Sequence, residues 1–264
     1  MARLANQDHL VTQSTGGLFP EQSDLSTMND ILDIACGPGW WALDVAHTYP
    51  WMKVVGVDIS QLMVTYARSQ AQRQRLNNVS FKVMDALKSL DVPDNSFDLV
   101  NMRFITAFMT KDAWPRLLQE CKRILRPGGV LRVTESEWNI TNAPASEKIM
   151  GMTALAVYLA GHTFSPDGRQ VGITPVLGRL LRDAGYQNIQ KMAHVLDFSF
   201  GAEAHEGWCQ NCMVIHKLIQ PFLIKMGVTT QEEIDLLYQQ DLEEMQSEDF
   251  CGIMFYLTVW GKKP

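Results

Sequence analysis

Short apolar runs alternate with amphipathic stretches along the first half of the chain. Residues 31–35 form an apolar run that leads into a glycine loop, residues 40–47 have helical spacing, and residues 53–57 form a second apolar run. A helix is predicted over 61–76, because Ser60 suits its N-cap and its polar side chains share one face. The order is therefore strand, helix, strand, helix.

The alternation continues to about residue 134. A helix over 111–125 ends at Arg-Pro-Gly-Gly, residues 126–129, where proline and two glycines turn the chain. The further strands of this region are predicted at 79–84, 97–102 and 130–134. Strands that alternate with helices predict an α/β fold, a doubly wound and mostly parallel sheet.

Beyond residue 138 helices dominate. The predicted helices lie at 145–159, from 174 to about 185, and within 204–247, where Thr230 to Glu233 match a capping box. Two strand-like runs lie at 189–198 and 253–260. We expect one domain over 1–264, made of an N-terminal arm or lid (1–29), a core (30–138) and two helical cap insertions (139–173 and 200–250).

Composition narrows the classes of partner. The 264 residues carry a net charge of −6 without any block of Lys and Arg, which counts against binding nucleic acid. Apolar runs are short and broken by charges, so we expect no membrane span, no secretory signal and a cytoplasmic location. The C-x-x-C pair, Cys209 and Cys212, lacks a second Cys or His pair at ligand spacing, so we predict no metal site.

The loop at Gly37-Pro38-Gly39 is the first candidate ligand site. Glycines let a backbone turn sharply and approach a ligand, and this loop opens a helix whose amides point towards it. The loop also fits the dinucleotide fingerprint, since Asp58 follows Gly39 by 19 residues. A nicotinamide cofactor therefore stays an alternative at this point.

Carboxylates at the ends of the first three strands favour a positively charged cofactor. Asp33 lies just before the glycine loop, where it would repel a pyrophosphate but suit an ammonium or a sulfonium. Asp58 can accept both hydroxyls of a ribose, and Asp85 can accept from an exocyclic amine such as that of adenine. Since ligands of open α/β sheets bind outside the carboxyl ends of strands, the three acids are expected in one crevice.

Together these segments resemble the class I S-adenosylmethionine-dependent methyltransferases. Residues 33–39, Asp-Ile-Ala-Cys-Gly-Pro-Gly, resemble that family's D-x-G-x-G-x-G loop, and residues 55–60 resemble its ribose-binding strand. The next three family markers are resembled by residues 84–86, 96–100 and 125–131. The resemblance is firm over 28–138, and it implies a seven-stranded Rossmann-like sheet whose last strand is antiparallel.

The resemblance also implies a set of cofactor contacts. S-adenosylmethionine, with S-adenosylhomocysteine as product, would bind at the glycine loop and the neighbouring strand ends. The implied residues are Asp33, Ala35, Gly37 and Gly39 for the methionine moiety, Asp58 for the ribose, Ile59, Asp85 and Ala86 for the adenine, and Arg103 for the methionine end or the substrate mouth. Ala35 departs from the family, which usually has glycine there.

Methyl transfer from a sulfonium is an in-line displacement that needs no metal, so positioning is the protein's main task. His162, Glu135 and Glu137 are the candidates for a general base. Metal-dependent relatives have paired Asp or Asn ligands after the fourth and fifth strands, whereas residues 101–103 and 135–138 lack such a pair. We therefore expect no magnesium.

Methionine and aromatic side chains in the cap insertions favour an apolar lid over the strand ends. Such a lid predicts a small, largely apolar acceptor, methylated on oxygen, nitrogen or carbon. The same helices could instead form the interface of a homodimer. Two other functions stay open: an NAD-dependent oxidoreductase, and a non-catalytic sensor or scaffold that binds S-adenosylmethionine.

Overall fold

The computed structural model describes residues 2–264 and places a twisted sheet between helices; Met1, the first residue of the predicted arm and domain, lies outside the described residues. The strands are β1 (Asp30–Ile34), β2 (Lys53–Asp58), β3 (Val79–Val83), β4 (Phe97–Arg103), β5 (Leu125–Ser136), β6 (Ile140–Thr141), β7 (Gln187–Asp197) and β8 (Gly252–Lys262). The helices are α1 (Ala2–Ser14), α2 (Trp40–Thr48), α3 (Gln61–Arg73), α4 (Trp114–Ile124), α5 (Pro144–Leu159), α6 (Thr174–Asp183), α7 (His205–Lys225) and α8 (Gln231–Glu244).

The strands are ordered β3-β2-β1-β4-β5-β8. Strand β8 also pairs with β7 over most of its length and with the short β6 at residues 252–253. Strands β1 to β5 pair in parallel, while β8 runs antiparallel to both β5 and β7. The mostly parallel α/β sheet with an antiparallel last strand is confirmed. The count of seven strands is wrong for the described residues, because the two-residue strand β6 pairs with Gly252 and Ile253 at the start of β8.

Alternate residues of the central strands pack into two separate hydrophobic cores, one on each face of the sheet. Leu32, Val100 and Leu131 pack on one face against α4 and α6. Ile31, Leu99 and Val130 pack on the opposite face against α2 and α3. This alternation is the two-residue period of a strand buried on both faces. It explains why the strands appear in the sequence as short continuous apolar runs.

Helix α1 differs from the expected turn-rich arm. Residues 2–14 are helical, and Leu10 and Val11 are buried against Trp208 and Cys209 of α7. Irregular chain follows only from residue 15 to residue 29. The sequence shows a weak pattern here because the polar residues of α1 face a cavity as well as solvent.

Helices lie in both segments that were predicted as cap insertions. Helices α5, α7 and α8 share an apolar cluster that includes Ile149, Leu223 and Ile234. The capping box is confirmed, since the Thr230 hydroxyl accepts the Glu233 N–H at 3.2 Å. Among residues 2–264, no helix combines the length and the apolar character that crossing a bilayer requires.

Candidate active site

A cavity of about 630 Å³ opens at the carboxyl ends of the parallel strands. Its floor comes from the segments that follow β1, β2, β3 and β4, and its roof comes from α1 with Ile215 of α7. The predicted cofactor residues that line it are Asp33, Ala35, Gly37, Asp58, Ile59, Asp85, Ala86 and Arg103. Four strand ends therefore converge on one crevice, as the topology requires.

Gly39 is the predicted cofactor residue that does not line the cavity. It lies behind the loop as the N-cap of α2, with φ at +81°. A methyl group at this position would lie 2.6 Å from the Phe81 ring and 2.9 Å from Ala67. Its role is therefore close packing beneath the loop, and the loop residues before it form the cavity wall.

The loop after β1 follows a left-handed path. Ala35, Gly37 and Gly39 have φ angles of +56°, +55° and +81°. Glycine adopts such angles without steric cost, whereas a side chain costs roughly 1–2 kcal/mol per residue. Ala35 thus carries backbone strain where the family usually has glycine. Hydrogen bonds such as Cys36 N–H to the Val57 carbonyl, at 3.0 Å, hold the path in place.

Asp58 is fixed by two backbone donors. One carboxylate oxygen accepts the Gly37 N–H at 2.8 Å, and the other accepts the Ser60 N–H at 2.8 Å. The end of β2 is thereby tied to the glycine loop. Each oxygen keeps a free lone pair that can accept from a hydroxyl in the cavity.

Asp85 lies among apolar side chains at the mouth of the cavity. Ile59 and Leu87, both lining residues, are 68% and 56% exposed, which is unusual for large apolar side chains. Asp85 accepts the Leu87 N–H at 3.0 Å and lies 3.4 Å from the Lys88 ammonium. Apolar faces beside a carboxylate acceptor suit a flat base that carries an amino group.

Asp33 is buried at the inner end of the cavity. Its carboxylate accepts a hydrogen bond from the Asn101 amide at 2.7 Å. Burial raises the pKa of Asp33 to about 7, and the nearby guanidinium of Arg103 opposes that rise in part. A buried carboxylate of this kind would attract a cation and repel a pyrophosphate.

Arg103, at the end of β4, connects the floor of the cavity to helix α1 in its roof. It forms an ion pair with Asp8 of α1, and its guanidinium lies 5.7 Å from the centre of the Trp41 ring. Residues 1–29 were expected to form an arm or lid, but none of them was among the predicted site residues. The residues of α1 that line the cavity are Arg3, Leu4, Gln7, Asp8 and Val11. Their three- and four-residue spacing, one face of a helix, is the signal that could have identified them.

The candidate bases, all three described by the structure, lie outside the cavity lining. One Glu135 oxygen accepts the N–H groups of Ile105 and Thr106 at 2.8 and 3.2 Å, and burial raises the pKa of Glu135 to about 8. Glu137 accepts the Gly172 N–H at 2.9 Å and the hydroxyl of Thr174 at 2.7 Å. Both glutamates anchor turns. A base role for them, or for His162, stays a prediction that this placement does not support.

The cysteine pair of α7 is buried in the core. Cys209 and Cys212 are both free thiols, and burial raises the pKa of each. Within the described part of the chain, no three His, Cys, Asp or Glu side chains are grouped closely enough to hold a metal ion. Both thiols therefore act as small apolar core residues.

Comparison with known proteins agrees with the geometry of the cavity. A family model of a methyltransferase domain matches residues 31–129. The methyltransferase pytC of Aspergillus terreus is 27% identical over 250 residues, covering 89% of this chain and 71% of that protein. Residues 31–129 therefore form a methyltransferase domain, and these likenesses support a class I S-adenosylmethionine-dependent methyltransferase.

Two other methyltransferases are similar over different shares of the chain. Demethylmenaquinone methyltransferase of Symbiobacterium thermophilum is 36% identical over 112 residues, 42% of this chain and 44% of that protein. The solved phosphoethanolamine N-methyltransferase 2 of Haemonchus contortus, bound to S-adenosylhomocysteine, has the same fold, with a TM-score of 0.57 and 18% identity. The match covers 96% of this chain and 52% of the Haemonchus contortus protein, so this chain spans about half the length of that protein.

The cavity fits S-adenosylmethionine, the cofactor bound in a second solved structure of phosphoethanolamine N-methyltransferase 2 from Haemonchus contortus. When bound, that cofactor supplies a methyl group activated by a sulfonium. Asp58 offers two oriented acceptors for ribose hydroxyls, and the buried Asp33 suits a positive charge. A nicotinamide cofactor is disfavoured, because its pyrophosphate would lie beside the buried carboxyl of Asp33.

Proposed function

We propose that this methyltransferase methylates an oxygen, nitrogen or carbon atom of a small, largely apolar molecule. The observation that carries the proposal is the composition of the cavity wall. The carboxylates of Asp33, Asp58 and Asp85 line the space, whereas most of the other lining residues are apolar. The apolar lining residues that the cofactor assignment leaves unused include Leu4, Val11, Phe104, Phe108, Met109 and Ile215.

We assign the cofactor end as follows. Asp33, Ala35 and Gly37 would hold the methionine moiety, Asp58 the ribose, and Ile59, Asp85 and Ala86 the adenine, while Gly39 shapes the loop from behind. Arg103 would bound the methionine end, and its ion pair with Asp8 would keep α1 over the acceptor. A roof of this kind excludes water and limits the motion of the acceptor, and positioning alone can lower a barrier by roughly 7–11 kcal/mol.

The polar groups at the acceptor end are few, which limits how an acceptor can be oriented. Arg3 donates to Gln7 at 3.0 Å and to Asn211 at 2.7 Å, and Asp8 is paired with Arg103. An acceptor would therefore be held mainly by shape, with one or two polar contacts to α1. The relatives support a small acceptor, because two of them are named for demethylmenaquinone and phosphoethanolamine.

The cysteines and the surface of the enzyme bear on its location and its partners. We propose a cytoplasmic location, which is supported by five cysteines that are all unpaired. The net charge of −6 supports a partner other than nucleic acid or an acidic membrane surface. Exposed apolar side chains on the cap, Leu159 of α5 and Leu218 of α7, support a homodimer.

The decisive experiment is a screen of acceptors with methyl-labelled S-adenosylmethionine. We expect label transfer to aromatic, quinone-like or other apolar small molecules, and little transfer to protein or RNA. Faster labelling of a protein or an RNA than of any small molecule would refute the proposal. Tight cofactor binding without transfer to any acceptor would favour the non-catalytic sensor.

A further inference from the structure

A row of polar side chains, here called the polar ladder, crosses the sheet beneath the glycine loop. Asp33 of β1, Asn101 of β4 and Arg132 of β5 are register partners, so their side chains share one face. Asn101 donates to Asp33 at 2.7 Å and accepts from Arg132 at 2.8 Å. Arg132 also donates to Glu21, in the segment before β1, at 2.7 Å. These four residues form one continuous chain of hydrogen bonds.

The polar ladder is buried among apolar residues. The side chains of Arg132 and Glu21 are 2% and 0% exposed, and Asp33 and Asn101 are buried as well. Two positions away along the same strands, the same face carries Ile31, Leu99 and Val130. Apolar residues of similar volume would generally be as stable as buried charges. Stability alone therefore does not account for the ladder.

The charges around Asp33 do not balance. The charged groups that face it are Arg103 of β4, Arg132 of β5 and Asp8 of α1, and Arg132 is shared with Glu21. With every group ionised, two cations meet three anions, which leaves one buried negative charge. In the empty protein a proton on Asp33 removes this excess, in keeping with its pKa of about 7.

We propose that Glu21, Arg132 and Asn101 are positioning residues for Asp33, and that a bound cation replaces a proton on Asp33. The Asn101 amide fixes the carboxylate at the cavity, Arg132 favours its ionised form, and Glu21 limits the influence of Arg132. The inference rests on the cofactor of the family and not on the acceptor proposed above.

The proton balance of the step is simple. The protonated Asp33 loses one proton to solvent, and its carboxylate then faces the single net positive charge of S-adenosylmethionine. With a pKa of about 7, Asp33 is about nine-tenths protonated at pH 6, so binding at pH 6 releases nearly one proton. Affinity then falls by up to about tenfold per pH unit below that pKa.

Isothermal titration calorimetry with S-adenosylmethionine between pH 5.5 and 8 tests the proposal. Buffers that differ in ionisation enthalpy report the number of protons released, and the pH dependence of Kd reports the midpoint. Titration of the ligand's own amine is common to all variants, so differences between variants report on the protein.

Two substitutions should move the midpoint in opposite directions. Arg132→Gln removes a cation near Asp33, and we expect the midpoint to rise by about one pH unit. Glu21→Gln leaves Arg132 without its counter-charge, and we expect the midpoint to fall. Arg126→Gln is the matched control, because Arg126 pairs with Asp30 and Asp98 outside the ladder, and it should leave the midpoint unchanged.

Circular dichroism verifies the fold of each variant. If Arg132→Gln does not fold, Asn101→Leu removes the amide donor to Asp33 and should also raise the midpoint. Equal weakening of binding at every pH, with unmoved midpoints, would show that the ladder is only structural. Binding to the native protein at pH 6 without proton release would also overturn the proposal. All readouts are binding, so failure of the acceptor proposal would leave them unaffected.

Discussion

Asp58→Ala is the sharpest test of the proposed cofactor end of the cavity. The substitution removes the acceptor of two backbone N–H groups, those of Gly37 and Ser60, each at 2.8 Å. It also removes the oxygens that would accept the ribose hydroxyls. A hydrogen bond to a charged group contributes about 1.5–3 kcal/mol. Two such bonds correspond to about 3 kcal/mol or more, which is over 100-fold in Kd.

Water in the cavity can replace part of that loss, so we expect the affinity for S-adenosylhomocysteine to fall by at least about tenfold. The two unpaired N–H groups should also lower the free energy of unfolding by about 1–3 kcal/mol. Calorimetry of binding and urea unfolding of the empty protein measure the two effects separately.

Asp98→Ala is the matched control for loop anchoring. Asp98 also accepts two backbone N–H groups, those of Asn29 and Asp30 at 2.9 Å, and lies near the start of β4, at the opposite end of the sheet from the cavity. Its loss should destabilise the protein but leave cofactor affinity unchanged. If Asp58→Ala lowers stability like Asp98→Ala and leaves affinity intact, the ribose assignment is refuted.

Three further substitutions test the loop and the buried acid. Ala35→Gly should raise the free energy of unfolding by about 0.5 kcal/mol, because relief of left-handed strain exceeds the added backbone entropy of glycine; a clear loss in urea unfolding would contradict this. Gly39→Ala should cost about 1–3 kcal/mol in the same assay, since its methyl group would meet the Phe81 ring at 2.6 Å, and an unchanged midpoint would disprove the overlap. Glu135→Gln should keep most of the activity, because its amide oxygen can still accept both backbone N–H groups, whereas a hundredfold loss in a folded variant would support a base. Folding favours the protonated form of Glu135, so the native enzyme should lose stability relative to Glu135→Gln as the pH rises from about 4.5 to about 8. Melting curves of both proteins at pH 5 and pH 9 test this expectation.

Much of the sheet could be predicted because its signals are local. The runs at 31–35 and 53–57 correspond to β1 and β2, and Ser60 caps α3 by accepting the Met63 N–H at 3.4 Å. The acids at strand ends could be placed because parallel strands share a carboxyl edge, which brings Asp33, Asp58 and Asp85 to one cavity. The two-residue strand β6 is too short to show any period.

Contacts between distant parts of the chain could not be predicted in the same way. Asp8 and Arg103 are 95 positions apart, and nothing local to either residue identifies the partner. Glu135 and Glu137 look like free carboxylates at the end of a strand, but backbone N–H groups from 105–106 and 172–174 bind them. The sequence identifies the chemical group, while only the fold determines whether that group is available to a substrate.

The place of β8 in the sheet has a consequence for synthesis on the ribosome. Residues 252–262 lie between β5 and β7, so β7 has no strand to pair with until they have been made. The parallel strands β1 to β5 and most of the cofactor cavity wall are encoded earlier and can assemble first. During that interval β5 and β7 expose unpaired edges, which are prone to pair with other chains. A nascent chain that stalls after α8 would therefore carry a nearly complete cofactor end on an unfinished sheet, and would be a target for chaperones.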